Sequence, residues 1–245
     1  MNSKLQESKV KQLFTRQEVI TNTDILYLYR KEEPEIPEAT VNWRIYHLVQ
    51  KGVIQRIGRG KYREGKALTF FPELSAKTIK AGKFVGKEFP YINYCIWELS
   101  AINSFSQHLI NYNVIFLEVE REVIDSVYRA LKDIRYKVIR IKDIKEDLSD
   151  FAGYVCVRAL VTEAPVLKEK SGQVASLEKI LVDLYCDKEF APFQGNEIYH
   201  IYKNAFNDYT VNESTMLRYA SRKEKKVEIE EVINSIKRQE FTYTS

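Results

Sequence analysis

The hydrophobic positions between Thr40 and Lys51 recur with the period of an α-helix. They lie at i, i+4, i+7 and i+8 and are Val41, Ile45, Leu48 and Val49. Gly52 follows as a usual helix stop. The opposite side of the predicted helix carries Trp43, Tyr46, His47 and Gln50. Aromatic and hydrogen-bonding groups therefore occupy positions where a solvated helix usually carries Glu and Lys, and the pattern favours a contact surface.

The residues after this helix predict a β-hairpin. "VIQRI" alternates apolar and polar positions, "GRGK" is a glycine-rich turn, and "YR" begins a return strand, so the hairpin spans residues 53–63. Upstream, residues 15–18 form a capping-box pattern that would open a helix, and "EEPEIPE" is a polar turn broken by proline. Helix, turn, helix and basic hairpin in this order are typical of a winged helix-turn-helix. In that arrangement the second helix enters the major groove and the ribbon contacts phosphates or the minor groove.

Charge is clustered in this segment. Residues 40–63 contain no Asp or Glu and six cations, which are Arg44, Lys51, Arg56, Arg59, Lys61 and Arg63. The whole chain has 38 basic and 34 acidic residues and a net charge of +4, so the local excess carries the information. The alternative is a solvated helix and hairpin whose charge aids solubility, although solvated faces usually mix signs. His47 either donates a hydrogen bond to a DNA base or phosphate or is an ordinary surface histidine.

We therefore predict a DNA-binding site on the second helix and the hairpin. The candidate residues on and just after the helix are Asn42, Trp43, Arg44, Tyr46, His47, Gln50 and Lys51. The candidates on the hairpin are Arg56, Arg59, Lys61 and Arg63.

The later part of the chain predicts an α/β domain that ends in helices. Residues 64–90 mix Gly, Lys and Phe without clean periodicity and are interpreted as a junction. Beyond them the strand-like segments are "YINYCIW", "NVIFLEVE", "YKVIRI" and "YVCVRAL", and the helical ones are "ELSAINSFSQHL" and "REVIDSVYRALKDI". From Ser176 the chain turns helical, with a core stripe at Leu177, Ile180, Leu181 and Leu184. The predicted domains are a winged helix at 1–65, a junction at 66–90 and an α/β domain at 91–245 with terminal helices at 176–240.

Composition and cysteine usage indicate the cellular compartment. The chain has 245 residues, of which 44% are hydrophobic, enough for one large core or two modest ones. Its three cysteines lie far apart without metal-ligand spacing, which is typical of thiols in a reducing cytosol. The N-terminal residues lack a signal-peptide core, and no apolar run approaches the length of a membrane span. We expect a folded, cytoplasmic protein without a membrane partner.

Catalytic motifs are weak. Glu118 and Glu120 alternate along a predicted strand and suggest a metal-dependent nuclease, but Glu120 stands where such a site needs Lys. The histidines are scattered, and neither a nucleophile elbow nor a phosphate loop is present. We predict no catalytic residue, no metal, no cofactor and no enzymatic activity. A second basic cluster at 218–226 is a solvated helix end, or else contacts an acidic partner or the DNA backbone.

Three segments resemble a known family. "TVNWRIYHLVQKGVIQRIGRGKY", "ASLEKILVDLYCD" and "YASRK" are similar to the antitoxin of bacterial abortive-infection AbiE systems, a type IV toxin-antitoxin class, in the branch with a longer α/β C-terminal domain. The resemblance implies an autorepressor whose winged helix binds inverted repeats in its own promoter. It also implies a C-terminal domain that counteracts a nucleotidyltransferase-like toxin without a stable complex.

The positions that match the family lie on the helix at Trp43, Arg44, Tyr46, His47 and Gln50, and on the wing at Arg56, Arg59 and Lys61. We expect a monomer or weak dimer that can dimerise on double-stranded DNA. Two alternatives stay open, a ligand-sensing transcriptional regulator without a toxin and a metal-dependent nuclease.

Overall fold

The computed structural model describes residues 4–65, 68–144, 147–169 and 172–242; the side chains of Gln50 and of residues 239–242 lie outside this description. The chain forms two compact units. The first comprises Met1–Phe70 and Ala205–Met216, and the second comprises Phe71–Asn204 and Leu217–Ser245. The domain boundaries drawn from the sequence stay a prediction.

The first unit is a winged helix-turn-helix. Its elements up to residue 64 are α1 (Glu7–Leu13), β1 (Ile20–Thr21), α2 (Asn22–Arg30), α3 (Glu38–Gln50), β2 (Ile54–Gly58) and β3 (Lys61–Glu64). The strands form an antiparallel sheet in the order β1-β3-β2. Gly60 adopts a φ of +66° at the tip of the hairpin, a conformation that favours glycine. The predicted helix and basic hairpin are confirmed.

The start of α2 differs from the prediction. The capping box lies at Thr21 and Asp24, where the Thr21 side chain accepts from the Asp24 amide and the Asp24 carboxylate accepts from the Thr21 amide. The predicted capping box at residues 15–18 is wrong, because these residues form a turn and an irregular segment before β1. Helix α3 begins after Pro37, which ends the proline-broken turn.

The core of the first unit joins the helices to the sheet. Val41, Ile45 and Leu48 of α3 are buried, as their spacing predicted. They pack in one cluster with Ile25 of α2 and Ile54 of β2. Because these apolar side chains turn inward, the opposite side of α3 faces solvent.

A segment from late in the sequence completes the first unit. The Gln55 side chain on β2 donates a buried hydrogen bond to the Val211 carbonyl. The Thr210 amide donates to the Leu68 carbonyl at 3.0 Å, and the Phe70 and Tyr209 rings meet edge to face with centroids 5.3 Å apart. Residues 205–216 are therefore part of the first unit, although the sequence pattern had placed them in the α/β domain.

The second unit is built around a mixed sheet. Its strands are β4 (Tyr94–Glu98), β5 (Ile115–Val119), β6 (Val138–Arg140), β7 (Val155–Ala159), β8 (Val166–Glu169) and β9 (Gly172–Ala175). They pair in the order β6-β7-β5-β4-β9-β8. The β6-β7, β7-β5 and β4-β9 pairs are parallel, and the β4-β5 and β8-β9 pairs are antiparallel.

Helices complete this unit, and two of them run on into residues 205–216 of the first. The helices are α4 (Ala76–Glu88), α5 (Ile124–Asp133), α6 (Leu177–Cys186), α7 (Asn196–Asp208), α8 (Glu213–Arg222) and α9 (Lys226–Thr242). Alternate residues of β5 separate two packing faces. Ile115, Leu117 and Val119 pack in one cluster with α4 and α5, whereas Phe116 contacts Trp97 of β4 and Phe190 after α6. The predicted fold class, a winged helix followed by an α/β domain with terminal helices, is confirmed.

Some elements of the second unit were not predicted. The stretch interpreted as a junction contains α4, which is capped by Ser75 and buries Thr78, Ala81, Gly82 and Val85. These positions are spaced i, i+3, i+4 and i+7, but their side chains are small or polar, so the hydrophobic pattern is faint. The β8-β9 hairpin was also missed, and of the helix expected at residues 98–109 only Leu99–Ser104 is helical, as a 3₁₀ helix. In the described part of the chain, no helix is long and apolar enough to cross a membrane.

Candidate DNA-binding surface

Helix α3 presents an aromatic surface to solvent. Trp43 and Tyr46 are 48% and 59% exposed, and Asn42 beside them is also exposed. The half-buried His47 ring contacts both aromatic rings, with its centroid 4.1 Å from that of Trp43 and 5.4 Å from that of Tyr46. Asn42, Trp43, Tyr46 and His47 form what we call the α3 surface. Gln50 is the last residue of α3, and its side chain lies outside the described residues.

Arg44 has a structural position, which corrects the expectation that it contacts DNA. Its side chain is buried, and its guanidinium donates two hydrogen bonds to the Glu33 carboxylate at 2.8 and 2.9 Å. The guanidinium also lies over the Tyr29 ring, 4.7 Å from its centroid. Hydrogen bonds from Arg44 lower the pKa of Glu33. Arg44 therefore ties α3 to α2 and to the turn between the two helices, and its guanidinium is not part of the exposed side of α3.

Two further cations of the 40–63 segment also have acidic partners. Lys51 donates to the Glu7 carboxylate at 2.6 Å. The Arg63 Nε donates to Gln55 at 2.9 Å, and its guanidinium lies 3.7 Å from the Glu213 carboxylate. Among the described residues, Arg44, Lys51 and Arg63 are thus paired with acids from outside the segment. The run that is unopposed in the sequence is half neutralised in the structure.

The other three cations lie on the wing, which is the β2-β3 hairpin. Arg59 is exposed in the turn between Gly58 and Gly60, and Lys61 is exposed at the start of β3. Arg56 is half-buried, and its Nε donates to the Gly58 carbonyl at 3.4 Å. Within the part of the chain that the structure describes, none of these three side chains forms a salt bridge. The positive charge of the wing is therefore not neutralised by acidic side chains of the described residues.

Helix α2 adds surface groups that the sequence pattern did not reveal. Tyr27 is 66% exposed, and the Lys31 ammonium lies 4.8 Å from the centroid of its ring. Arg30 beside them is exposed as well. In helix-turn-helix complexes the first helix crosses the DNA backbone, so these groups suit phosphate contacts. The only trace of them in the sequence is the spacing of Tyr27, Arg30 and Lys31 at i, i+3 and i+4, which places them on one side of the end of α2.

A buried ionic network lies in the second unit, and we call it the ionic network. Its members are Glu118, Arg158, Lys179, Asp183, Asp187, Glu189 and Lys223. Arg158 donates to Glu118 and Asp183 at 2.8 Å and to Asp187 and Glu189 at 2.9 and 2.7 Å. Lys179 donates to Glu118 and Asp183 at 2.5 Å each.

The network shifts the pKa values of its carboxyl groups in opposite directions. Burial raises the pKa of Asp183, but the positive charges of Lys179, Lys223 and Arg158 outweigh it and leave that pKa lowered. Burial and the negative charge of Asp183 raise the pKa of Asp187. Four acids face three bases in this group, so one carboxylate is in excess, and the pKa of Asp187 is raised.

The two residues that suggested a nuclease have structural partners instead, and Glu118 is a member of the ionic network. Glu118 is 1% exposed and accepts hydrogen bonds from Trp97, Arg158 and Lys179 on a single oxygen. Glu120 accepts from the Asn93 amide and side chain. Over the described ranges, no group of three or more His, Cys, Asp and Glu side chains is arranged to hold a metal ion. The Lys179–Asp183 pair, spaced i, i+4 inside an apolar stripe, was the sequence signal for buried charge.

The second basic cluster, at 218–226, is largely paired within the second unit. Lys223 is buried in the ionic network and donates to Asp183 and Asp187 at 2.6 Å. Arg218 and Arg222 lie 3.7 and 3.6 Å from Glu163. Lys225 pairs with Glu228 at 2.7 Å.

The helix-turn-helix, the aromatic α3 surface and the cationic wing define a winged-helix domain with a candidate DNA-binding surface. Residues 8–65 match the family described as "Transcriptional regulator, AbiEi antitoxin", which confirms the predicted resemblance. The chain belongs to the family of unknown function DUF6577, whose model matches residues 40–239. A search of curated proteins gave no match.

Proposed function

We propose that this protein is a DNA-binding antitoxin that represses its own promoter and counteracts a nucleotidyltransferase-like toxin. The observation that carries the proposal is the pairing of an exposed aromatic helix surface with a wing whose cations have no acidic partner among the described residues, in a segment similar to AbiEi regulators. The α3 surface occupies the major groove, and Arg56, Arg59 and Lys61 contact phosphates or the minor groove.

The two activities belong to different parts of the chain. The winged helix at residues 1–65 binds inverted repeats in the promoter, as a monomer or weak dimer that can dimerise on the site. The later α/β domain, predicted at 91–245 after a junction at 66–90, neutralises the toxin without a stable complex. Support for this division comes from the second unit having its own sheet and hydrophobic core.

The DNA-binding part of the proposal is tested by a full-length variant in which Arg56, Arg59 and Lys61 are all replaced by Ala. Because each phosphate contact releases counterions, losing it flattens the log-log dependence of affinity on salt by about 0.9. We expect weaker binding to every duplex and a smaller slope, measured by fluorescence anisotropy on DNA from upstream of the gene. The matched control replaces the exposed Lys80, Lys83 and Lys87 of α4, which removes the same charge from the second unit. Equal slopes in the two variants would contradict the proposed role of the wing.

The antitoxin part is tested in cells that express the proposed toxin, the product of a neighbouring nucleotidyltransferase-like gene. The wing variant should lose promoter repression and still protect the cells, because the residues it changes lie outside the α/β domain. Loss of protection together with repression would refute the division of labour. If the parent protein itself gives no protection but represses its promoter, the chain is a regulator without a toxin.

A further inference from the structure

The α3 surface lacks the side chains that most often recognise guanine. Specific contacts to guanine in the major groove come chiefly from Arg or Lys, which donate to its O6 and N7 atoms. Arg44 is the cation within α3, and its guanidinium is buried against Glu33 and Tyr29. Lys51 follows the helix and pairs with Glu7. Among the described side chains of α3, none that is exposed is an Arg or Lys.

The groups that are exposed suit A·T base pairs. The Asn42 amide can pair with adenine, donating to N7 and accepting from the N6 amino group. Trp43 and Tyr46 offer apolar area, and apolar side chains contact the C5-methyl group of thymine. Ala39, near the start of α3, is exposed and adds a small apolar contact. Glu38 is also exposed at the helix start, where its charge disfavours a close approach to phosphate.

The spacing along α3 fits neighbouring base pairs. Residues 42 and 46 are four apart and therefore lie on one side of the helix, about 6 Å apart along its axis. Base pairs are stacked about 3.4 Å apart along each strand, so this rise covers about two steps. One helix can thus contact an adenine through Asn42 and thymine methyl groups on adjacent pairs through Trp43 and Tyr46.

We propose that the α3 surface recognises A·T-containing half-sites, with Asn42 on adenine and with Trp43 and Tyr46 on thymine methyl groups. This proposal rests on the proposed function, since it names the bases that the same helix contacts. Its discriminating feature is a dependence on the thymine methyl group, which an electrostatic contact to the backbone does not have.

The test uses full-length protein and duplexes that tile the DNA upstream of the gene. In the best-bound duplex, each thymine is replaced in turn by uracil, which removes only the C5-methyl group. Each adenine is replaced by 7-deazaadenine and, for comparison, each guanine by 7-deazaguanine; both changes remove the N7 acceptor. We expect about fourfold weaker binding for each contacted methyl group, from the transfer free energy of one buried carbon. For the adenine that contacts Asn42 we expect a loss within about 5- to 150-fold.

Variants assign each effect to a side chain. In Trp43→Ala and Tyr46→Ala the corresponding thymine and uracil duplexes should bind equally, and Asn42→Ala should be insensitive to 7-deazaadenine. All three side chains are exposed, so each variant should keep the parent's thermal midpoint. The wing variant is the control, because it should bind every duplex more weakly and keep the parent's thymine-to-uracil ratio.

Several results would overturn the proposal. Equal binding of all thymine and uracil duplexes by the parent protein would do so, and so would a loss confined to 7-deazaguanine substitutions. Either result leaves the proposed function intact, provided the protein still prefers the upstream duplex to random DNA. Tighter binding to single-stranded than to duplex DNA would show that the exposed rings stack on bases instead. Failure to bind any upstream duplex would overturn the proposed function itself.

Discussion

Arg44 and Tyr46 lie two positions apart on α3 and have opposite environments. Arg44 is 5% exposed and fixed between Glu33 and Tyr29, whereas Tyr46 is 59% exposed. Burial raises the pKa of Tyr29 to about 12, and the positive charge of Arg44 acts against this rise. One residue of the pair therefore belongs to the core, and the other belongs to the DNA-binding candidate surface.

Replacing Arg44 by Ala should lower the free energy of unfolding by about 1 to 3 kcal/mol, because its buried stem and its contact with Tyr29 are lost together. The matched variant Tyr46→Ala should change stability by less than about 0.5 kcal/mol. Urea denaturation at neutral pH followed by circular dichroism measures both. Equal stability of Arg44→Ala and the parent would show that the Arg44–Glu33 pair does not hold α3 in place.

Asp183 and Asp187 lie on the same ionic network with pKa values shifted in opposite directions. The Asp183 pKa is lowered, so its charged form stabilises the folded state at every pH above its ordinary value of 3.8. That contribution is lost as the pH falls below 3.8 toward the folded-state pKa. The Asp187 pKa is raised, so ionised Asp187 destabilises the folded state above its ordinary value, and protonation relieves this.

Asp183→Asn should therefore cost about 3 to 5 kcal/mol at pH 7, because it leaves buried cations without their shared carboxylate. Asp187→Asn should change stability by no more than about 1 kcal/mol, since the raised pKa of Asp187 means that folding does not favour its ionised form. Urea denaturation across about pH 3 to 8 tests both, a range that brackets these ordinary values. The Asp183→Asn deficit should narrow as the pH falls below 3.8. A larger loss of stability for Asp187→Asn than for Asp183→Asn at pH 7 would show that the buried cations depend on Asp187 and not on Asp183.

At the scale of elements, the N-terminus of α2 shows how a short motif can mislead. Residues 15–18 and residues 21–24 both offer a threonine followed three residues later by an acid. The second set is the one that caps a helix. Ile20 pairs with Tyr62 in the sheet, which ends the strand at Thr21, and α2 begins at the next residue. Long-range strand pairing therefore decides between two locally similar motifs.

Thr21→Ala should destabilise the first unit by about 1 kcal/mol, because the Asp24 amide loses its capping acceptor. Thr15→Ala is the control, since its hydroxyl donates only an exposed bond to the Gln12 carbonyl and should change stability by less than about 0.5 kcal/mol. Thermal denaturation of the two full-length variants compares them directly. A larger loss in Thr15→Ala would place the helix start where the sequence pattern first suggested it.

At the scale of the whole molecule, the first unit is made from two distant parts of the chain. The wing strand β2 uses Gln55 to hold the Val211 carbonyl, and Arg63 on β3 lies beside Glu213. The buried Gln55 amide is satisfied through this contact, so losing residues 205–216 would leave a buried polar group without its acceptor.

In a fragment of residues 1–70, the amides of the wing should therefore be less protected from hydrogen exchange than they are in the full chain. We expect the amides of β2 and β3 to exchange faster with deuterium in the fragment, measured by mass spectrometry at equal pH and temperature. The amides of α2 serve as the internal reference, since the contacts of Gln55, Arg63, Leu68 and Phe70 with residues 205–216 do not involve that helix. Equal exchange of β2 and β3 in both proteins would show that the winged helix is complete without the later segment.

The local periodicities of the chain were sufficient for much of the fold. The stripe of α3, the basic hairpin, the strands β4, β5, β6 and β7, and the stripe of α6 all follow from spacing, because periods of 3.6 and 2 are properties of neighbouring residues. Helix α4 could not be predicted in this way because its buried face is built from small residues. The hairpin β8-β9 was missed because neither of its strands, VLKE and GQVA, alternates apolar and polar positions.

The sequence by itself determined that a helix with an aromatic side precedes a cationic hairpin. Only the tertiary structure decided which of the six cations pair with acidic side chains. Arg44, Lys51 and Arg63 meet Glu33, Glu7 and Glu213, which come from the turn after α2, from α1 and from α8 respectively. Charge pairing depends on distance in space, which a count along the segment cannot supply. For the same reason the sequence spacing points only to one buried pair, Lys179 and Asp183, and not to the meeting of seven charged residues in the ionic network of the second unit.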